Sequence, residues 1–552
     1  MTPVVAAALL GGALVTASAP ASDLPLLLTG ATVYTSWDAA PRRAAVLAVG
    51  GKIAFVGDET EARKMSPAAR TVALPGAVVY PGFVDAHAHV PGLGMSKESL
   101  DLRGRSKEEI LALVKGAAVR MPKGEWIRGR SWDQNLWTGK SFPTAAEIDS
   151  VAPKHPVLLT RVDGHALWVN GLAMERAGVT AATKDPDGGK ILRSAGGEPS
   201  GIFIDNAEAL IVQAIGEPTP VARRRVLVAG MNAAAETGLT GVGDASGFDR
   251  SGLEVVRTMA REKALPIRLY ATVGAETKDL AKLLAEGMVA EGRLTVRAVK
   301  MYADGALGSR GAALLADYSD DPGNRGLLVT PPGKMDEIAL ACAKAGWQLW
   351  THAIGDRGNR LALDAYEKAF ASVKPKDPRF RIEHAQVVAP EDIPRFSKLG
   401  VIASIQPTHA TSDMPWAEAR VGPVRIRGAY AWRSLLSSGA RLAGGSDFPV
   451  EEEAPLLGFY AAITRQDLSG RPPGGWTPDQ KLTRREALRL FTSDAAYAEF
   501  AETRRGKIAP GFDADLTVLD RDIVADSLPV SEIPGAKVVM TVVDGEVVYR
   551  GR

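Results

Sequence analysis

From Pro81 to about Asp494 the chain alternates between short apolar runs and amphipathic segments, and this rhythm limits the fold more than any other feature. Strands are predicted at Val79–Asp85, Thr240–Asp244, Ile267–Val273, Thr295–Tyr302, Gln348–His352, Phe380–His384, Val401–Gln406 and Arg441–Asp447. Helical periodicity fills the intervals, as at Val221–Thr237, Leu253–Ala264, Asp336–Ala345 and Arg360–Ala371. Eight strands with crossover helices predict an α/β fold, a (β/α)8 TIM-like barrel.

Both ends read differently. Leu26–Tyr34, Ala45–Gly57, Arg70–Tyr80, Gly506–Leu519 and Lys537–Tyr549 all read as strands, with hairpin signals at Gly50-Gly51 and Asp544-Gly545. This predicts one β-sandwich split between residues 23–78 and 505–552, around a barrel formed by 79–90 and 221–504. Residues 91–220 are too many for one loop and predict an inserted subdomain over the barrel mouth. Its Trp126, Trp132, Trp137 and Trp168 fit a small aromatic core better than a substrate pocket. Arg128, Arg130, Arg161 and Arg310 suit either an anionic substrate or surface ion pairs.

Val4–Val15 followed by Ala17-Ser-Ala-Pro-Ala21 has the texture of a signal peptide over 1–21, which predicts export. That run is too short for a membrane span. A net charge of +2 gives no basic field for nucleic acid. The single cysteine, Cys342, lies on a helical pattern and is expected in the core.

In such a barrel the reactive groups stand at the C-terminal strand ends. There the sequence places His87 and His89 after the first strand, Lys300 on the fourth, His352 on the fifth, His384 on the sixth and Asp447 after the eighth. A His-x-His pair on a strand faces one way and can share a metal ion. Taken alone, each residue has a bland alternative: a hydrogen-bonded core histidine, a snorkelling lysine or a capping aspartate. His165 of the insertion could hold substrate or make a structural hydrogen bond. His155 and His409 have weaker claims, with His409 placed to touch substrate after the seventh strand.

The strings Pro81-Gly-Phe-Val-Asp-Ala-His-Ala-His89, Val299-Lys-Met-Tyr-Ala-Asp304, Thr351-His-Ala-Ile-Gly-Asp356, Ile382-Glu-His-Ala-Gln386 and Gly444-Gly-Ser-Asp-Phe-Pro449 carry a family resemblance. The chain resembles the amidohydrolase superfamily, in the branch of N-substituted formamide deformylase and YtcJ-type proteins. The resemblance implies that His87, His89 and Asp447 hold one divalent metal, His352 and His384 a second, and a carboxylated Lys300 bridges them. Zinc suits these ligands. It further implies hydrolysis of a non-peptide carbon–nitrogen bond in a small amide-type substrate by a metal-bridging hydroxide. Asp447 would be the proton shuttle and His165 a candidate to hold the carbonyl. It admits a homodimer. The alternatives are a deaminase or an ester or lactone hydrolase on the same fold, and a non-catalytic exported binding protein. Ala353-Ile-Gly-Asp-Arg357 lacks the glutamate such deaminases use, and no Gly-x-Ser-x-Gly occurs for a serine hydrolase.

Overall fold

The computed structural model describes residues 24–161, 166–186, 189–205, 207–308 and 310–551. The leader read at 1–21 and His165 lie outside the described residues.

The middle of the chain forms a nearly closed parallel barrel. Its strands, in chain order, are β1 Phe83–Ala88, β2 Leu239–Phe248, β3 Arg268–Gly274, β4 Leu294–Tyr302, β5 Gln348–Ala353, β6 Arg381–His384, β7 Ile402–Ile405 and β8 Arg441–Gly444. Each pairs in parallel with the next. Strands such as β1, β3 and β7 are buried along their whole length, as expected of strands covered on both faces.

No ladder joins β8 to β1 among the described residues. Other contacts close that seam. Asp447 N donates to His87 O at 2.8 Å, Ser446 Oγ donates to Asp85 Oδ2 at 2.6 Å, and Val84 N donates to Phe491 O at 2.8 Å.

Two further sheets are built from the ends of the chain, one from N-terminal strands and one from strands of both ends. One runs Lys52–Gly57, Ala45–Val49, Leu26–Thr29, Arg70–Ala73. The other runs Glu546–Arg550, Val538–Val543, Leu516–Leu519, Val78–Pro81, Thr32–Val33, Arg42–Arg43. Leu26, Leu28, Val46 and Val72 of the first pack with Val79, Leu516, Met540 and Val542 of the second.

Several predicted strands divide here. Leu26–Tyr34 switches sheets at Gly30 (φ +76°), and Arg70–Tyr80 switches near Gly76 (φ +80°). Both glycines adopt the left-handed turn that other residues resist. Val79–Asp85 also divides, its first part joining the sandwich and its second starting β1. At Gly82 between them a Cβ would stand 2.3 Å from Thr240 Oγ1 and 3.0 Å from Asp515 Cβ. Of Gly506–Leu519 only Leu516–Leu519 is strand, after a turn through Pro510 and Gly511 (φ +89°).

Residues 100–205 carry a sheet of their own, ordered Gly189–Arg193, Pro199–Asp205, Ala166–Val169, Val157–Arg161, Ile127–Trp132, Leu100–Asp101. Trp132, Trp137 and Trp168 pack together in its core, and Trp126 packs against a second cluster. The helix Val90–Glu98 leads into this region directly after His89 and lies tightly on Pro220–Glu236. A Cβ on Gly94 would meet Val226 O at 1.8 Å, so the crossing requires glycine. Cys342 is buried, as expected. Among the described residues no helix is long and apolar enough to cross a membrane.

Candidate metal centre

In β1 the side chains of Asp85 and His87 share a face with His89 just beyond it, because successive strand residues alternate. The other barrel strands bring Lys300, His352, His384 and Asp447 to the same end. His87 and His384 rings lie 4.9 Å apart, His384 and His352 4.5 Å, and His87 and His89 5.6 Å, centroid to centroid. Asp447 Oδ1 lies 3.1 Å from His89 Nε2 and 3.4 Å from His87 Nε2, neither aligned as a hydrogen bond. The ligand atoms of His87, His384 and Asp447 all fall within 4.8 Å of one another. Lys300 is buried, its Nζ 4.7 Å over the Tyr302 ring, which lies 5.3 Å from that of His352.

The polar atoms here lack partners. His87 Nε2, Lys300 Nζ, His352 Nε2, His409 Nε2 and Asp447 Oδ1 are buried without a hydrogen-bond partner among the described residues. Native proteins pair nearly all such atoms. Nitrogen lone pairs and a carboxylate oxygen converging in one buried space are a donor set that fits divalent metal ions.

A surrounding shell fixes these groups. His87 Nδ1 contacts Glu383 Oε2, which turns Nε2 inward. Arg381 grips Glu383 at 2.7 and 2.9 Å, donates to Ala86 O and Ser404 Oγ, and lies 3.6 Å over the Trp350 ring. Burial pushes the Glu383 carboxyl up, but Arg381 and His87 outweigh it and hold it at about 2. His384 Nδ1 meets Gln406 Oε1 at 2.8 Å. Asp85 accepts from Ser446 Oγ, Ser446 N and His87 N, tying the two ends of the seam. Asp304 accepts from the backbone of Ala313, Ile354 and Gly355, and its Oδ1 lies 3.8 Å from His352 Nε2.

Burial raises Asp85 and Asp304 to about 7, against the pull of these hydrogen bonds. Burial also lowers Lys300 to about 8 and His352 to about 3. His384 (φ +75°) and Asp447 (φ +62°) take the left-handed backbone rare for non-glycine residues. Such strain collects at functional sites.

The sequence reading assigned no role to Glu383, Arg381, Asp85 or Asp304. Glu383 stands beside His384 in a quoted string, and Asp85 shares the alternation of His87 and His89. His409 is nearer the cluster than its weak claim suggested, with Nε2 3.7 Å from Asp447 Oδ2. His155 is structural, its Nδ1 3.1 Å from Glu125 O. Arg310 pairs with Asp320 and Arg161 with Asp133.

The profile of the Amidohydrolase family matches residues 70–549. The chain belongs to the amidohydrolase family. It is 35% identical over 532 residues to YtcJ of Bacillus subtilis (strain 168), covering 94% of this chain and 98% of that one. It is 30% identical over 524 residues to the N-substituted formamide deformylase of Arthrobacter pascens, covering 92% and 94%. Among solved structures, an uncharacterized metal-dependent hydrolase from Pyrococcus horikoshii superposes with a TM-score of 0.75 at 29% identity, covering 91% of this chain and 98% of that one. As an amidohydrolase the chain is an enzyme with a metal-dependent hydrolase fold.

Proposed function

We propose that this amidohydrolase cleaves a non-peptide carbon–nitrogen bond in a small amide, using two divalent metal ions held at the barrel mouth. The carrying observation is the group of buried atoms without partners: His87 Nε2, Lys300 Nζ, His352 Nε2 and Asp447 Oδ1. His87, His89 and Asp447 would hold one ion and His352 and His384 the other, with zinc the ion best matched to them. When bound, the ions lower the pKa of a coordinated water and polarise the scissile carbonyl.

Lys300 is read as the bridge. A buried ammonium without a partner is strongly disfavoured beside two dications. Addition of its amine to carbon dioxide, with loss of one proton, forms a carbamate whose oxygens can ligate both. Asp447 takes the proton of the attacking water and delivers it to the leaving nitrogen. Glu383 holds the His87 tautomer that turns a lone pair inward. The subdomain of residues 100–205 is read as a cover, because the chain enters it directly after His89.

The named activity of the Arthrobacter pascens relative makes N-substituted formamides the first substrates to try. The test is a hydrolysis screen over N-formyl amines, N-acyl amino acids, cyclic imides and esters, before and after chelation. Amide turnover abolished by chelator and restored by metal is expected. Turnover of esters alone, or activity indifferent to chelation, refutes the reading.

A further inference from the structure

Among the described residues the mouth holds one more imidazole, His409, than the proposed metal ligation uses. His409 lies on the helix Pro407–Asp413, which starts directly after β7. Both ends of this helix are anchored. Gln406, its N-cap residue, contacts His384 Nδ1 at 2.8 Å. Asp413 at the other end accepts from Tyr430 OH at 2.6 Å and from Gln386 Nε2 at 2.9 Å. The His409 ring lies nearly parallel to that of His384, at 5.9 Å and 22°.

So held, His409 Nε2 is buried without a hydrogen-bond partner among the described residues. Its nearest charged neighbour is Asp447 Oδ2, 3.7 Å away. That gap is too long for a hydrogen bond between the two. It suits two groups that both touch a third polar atom, each at about 2.9 Å. His409 is also absent from the compact set of mutually close ligand atoms, His87, His384 and Asp447.

We propose that the third atom is the scissile nitrogen of the substrate, and that His409 Nε2 accepts the hydrogen bond of its N–H. This rests on the amide-hydrolase reading above and adds a substrate requirement: the amide must carry hydrogen on its nitrogen. Attack by water makes the carbonyl carbon tetrahedral and the nitrogen pyramidal. With its hydrogen directed at His409, the nitrogen turns its lone pair toward Asp447. The proton that Asp447 took from the water moves to that lone pair. The carbon–nitrogen bond breaks with its electron pair going to nitrogen, and amine and carboxylic acid leave. His409 acts here through Nε2 as a hydrogen-bond acceptor only and exchanges no proton. An N-methylated amide leaves the buried Nε2 unpaired and crowds it. Sites built to bond a substrate N–H reject analogues lacking it strongly.

The test compares an N–H formamide with its N-methyl counterpart on the metal-loaded enzyme, as wild type, His409→Ala and His409→Gln. The wild type is expected to favour the N–H substrate in kcat/KM by about 10²-fold or more. His409→Ala should reduce that preference to a few-fold at unchanged metal content and melting temperature. His409→Gln, whose Oε1 is an acceptor, should restore part of it. A non-hydrolysed sulfonamide pair, with and without N–H, should give the same ordering by titration calorimetry. A His409→Ala enzyme that keeps the wild-type preference overturns the proposal, and so does one that loses its metal. Wild type that hydrolyses both amides equally overturns it while leaving the amide-hydrolase reading intact. Wild type that hydrolyses no amide overturns both.

Discussion

The two ends of the barrel handle buried charge in opposite ways. At the floor, Arg268 starts β3 and meets Asp515 at 2.6 and 2.8 Å, with Asp544 and Asp513 beside it. Arg293, just before β4, donates to Asp544, Glu546 and three backbone carbonyls. These two arginines tie barrel strands to the sandwich through paired contacts, although Arg505 Nε and Glu499 Oε1 beside them are buried without partners among the described residues. At the mouth, His87 Nε2, His352 Nε2, Lys300 Nζ and Asp447 Oδ1 converge without pairing. The floor spends its charges on holding domains together, whereas the mouth keeps its polar atoms available for something that arrives later.

Substitutions should separate the two ends. The largest effect is expected at Asp447: Asp447→Asn should lower kcat by about 10³-fold or more in steady-state assays, with little loss of stability in the metal-free protein. If stability collapses instead, the mouth is structural. Next comes the floor. Arg268→Met leaves Asp515 buried without its guanidinium and should cost about 3–5 kcal/mol in urea unfolding. Activity per folded molecule should stay unchanged, and a selective loss of kcat would blur the division.

A third, smaller effect concerns the support of the site. Glu383→Gln should weaken metal binding by about 10–100-fold in chelator competition. An unaltered affinity would mean that His87 needs no orienting partner. The smallest effect is a pH slope. Asp304 stands at about 7 in the folded protein against an ordinary value of 3.8. The folded state therefore binds the extra proton, and stability is lost as pH rises from about 4 to 7. In metal-free Asp304→Asn its share of that slope, at most about 1.4 kcal/mol per pH unit, should disappear beneath any constant offset, leaving the share of Asp85, which also stands at about 7. Asp544 at the floor is shifted the other way: although burial pushes its carboxyl up, Arg268 and Arg293 outweigh it and hold it low. Its contribution is present above the ordinary carboxylate pKa and fades as pH falls below it. Unfolding curves for Arg268→Met should thus lose part of their acid-side dependence, Arg293 keeping the rest, while Asp304→Asn should lose its share of the slope between about 4 and 7.

The barrel is readable because its candidate site residues stand where strand runs end, as His352 does after Gln348-Leu-Trp-Thr and Asp447 after Leu442-Ala-Gly-Gly-Ser446. Residue periodicity reports on one strand at a time. It therefore could not show that Leu26–Tyr34 leaves one sheet for another at Gly30, since the apolar pattern runs through the turn. It also could not show contacts between distant strands. Glu383 meets His87 across 296 positions, and Asp85 meets Ser446 across 361. The place of His409 is hard to read for the same reason: it depends on where the helix after β7 begins and on the Asp413 contacts with Tyr430 and Gln386.

The open seam between β1 and β8 has a consequence of its own. The ring is fastened there by Asp447 N on His87 O and by Ser446 on Asp85, so two residues proposed to hold metal double as the clasp of the barrel. Under the proposed function, residue choice at His87 and Asp447 is constrained twice, once by metal binding and once by closure. An ion drawing His87 and Asp447 together would also cinch the clasp. Backbone amides along β1 and β8 should then exchange hydrogen more slowly in the loaded protein than in the empty one, and those along β4 much less so.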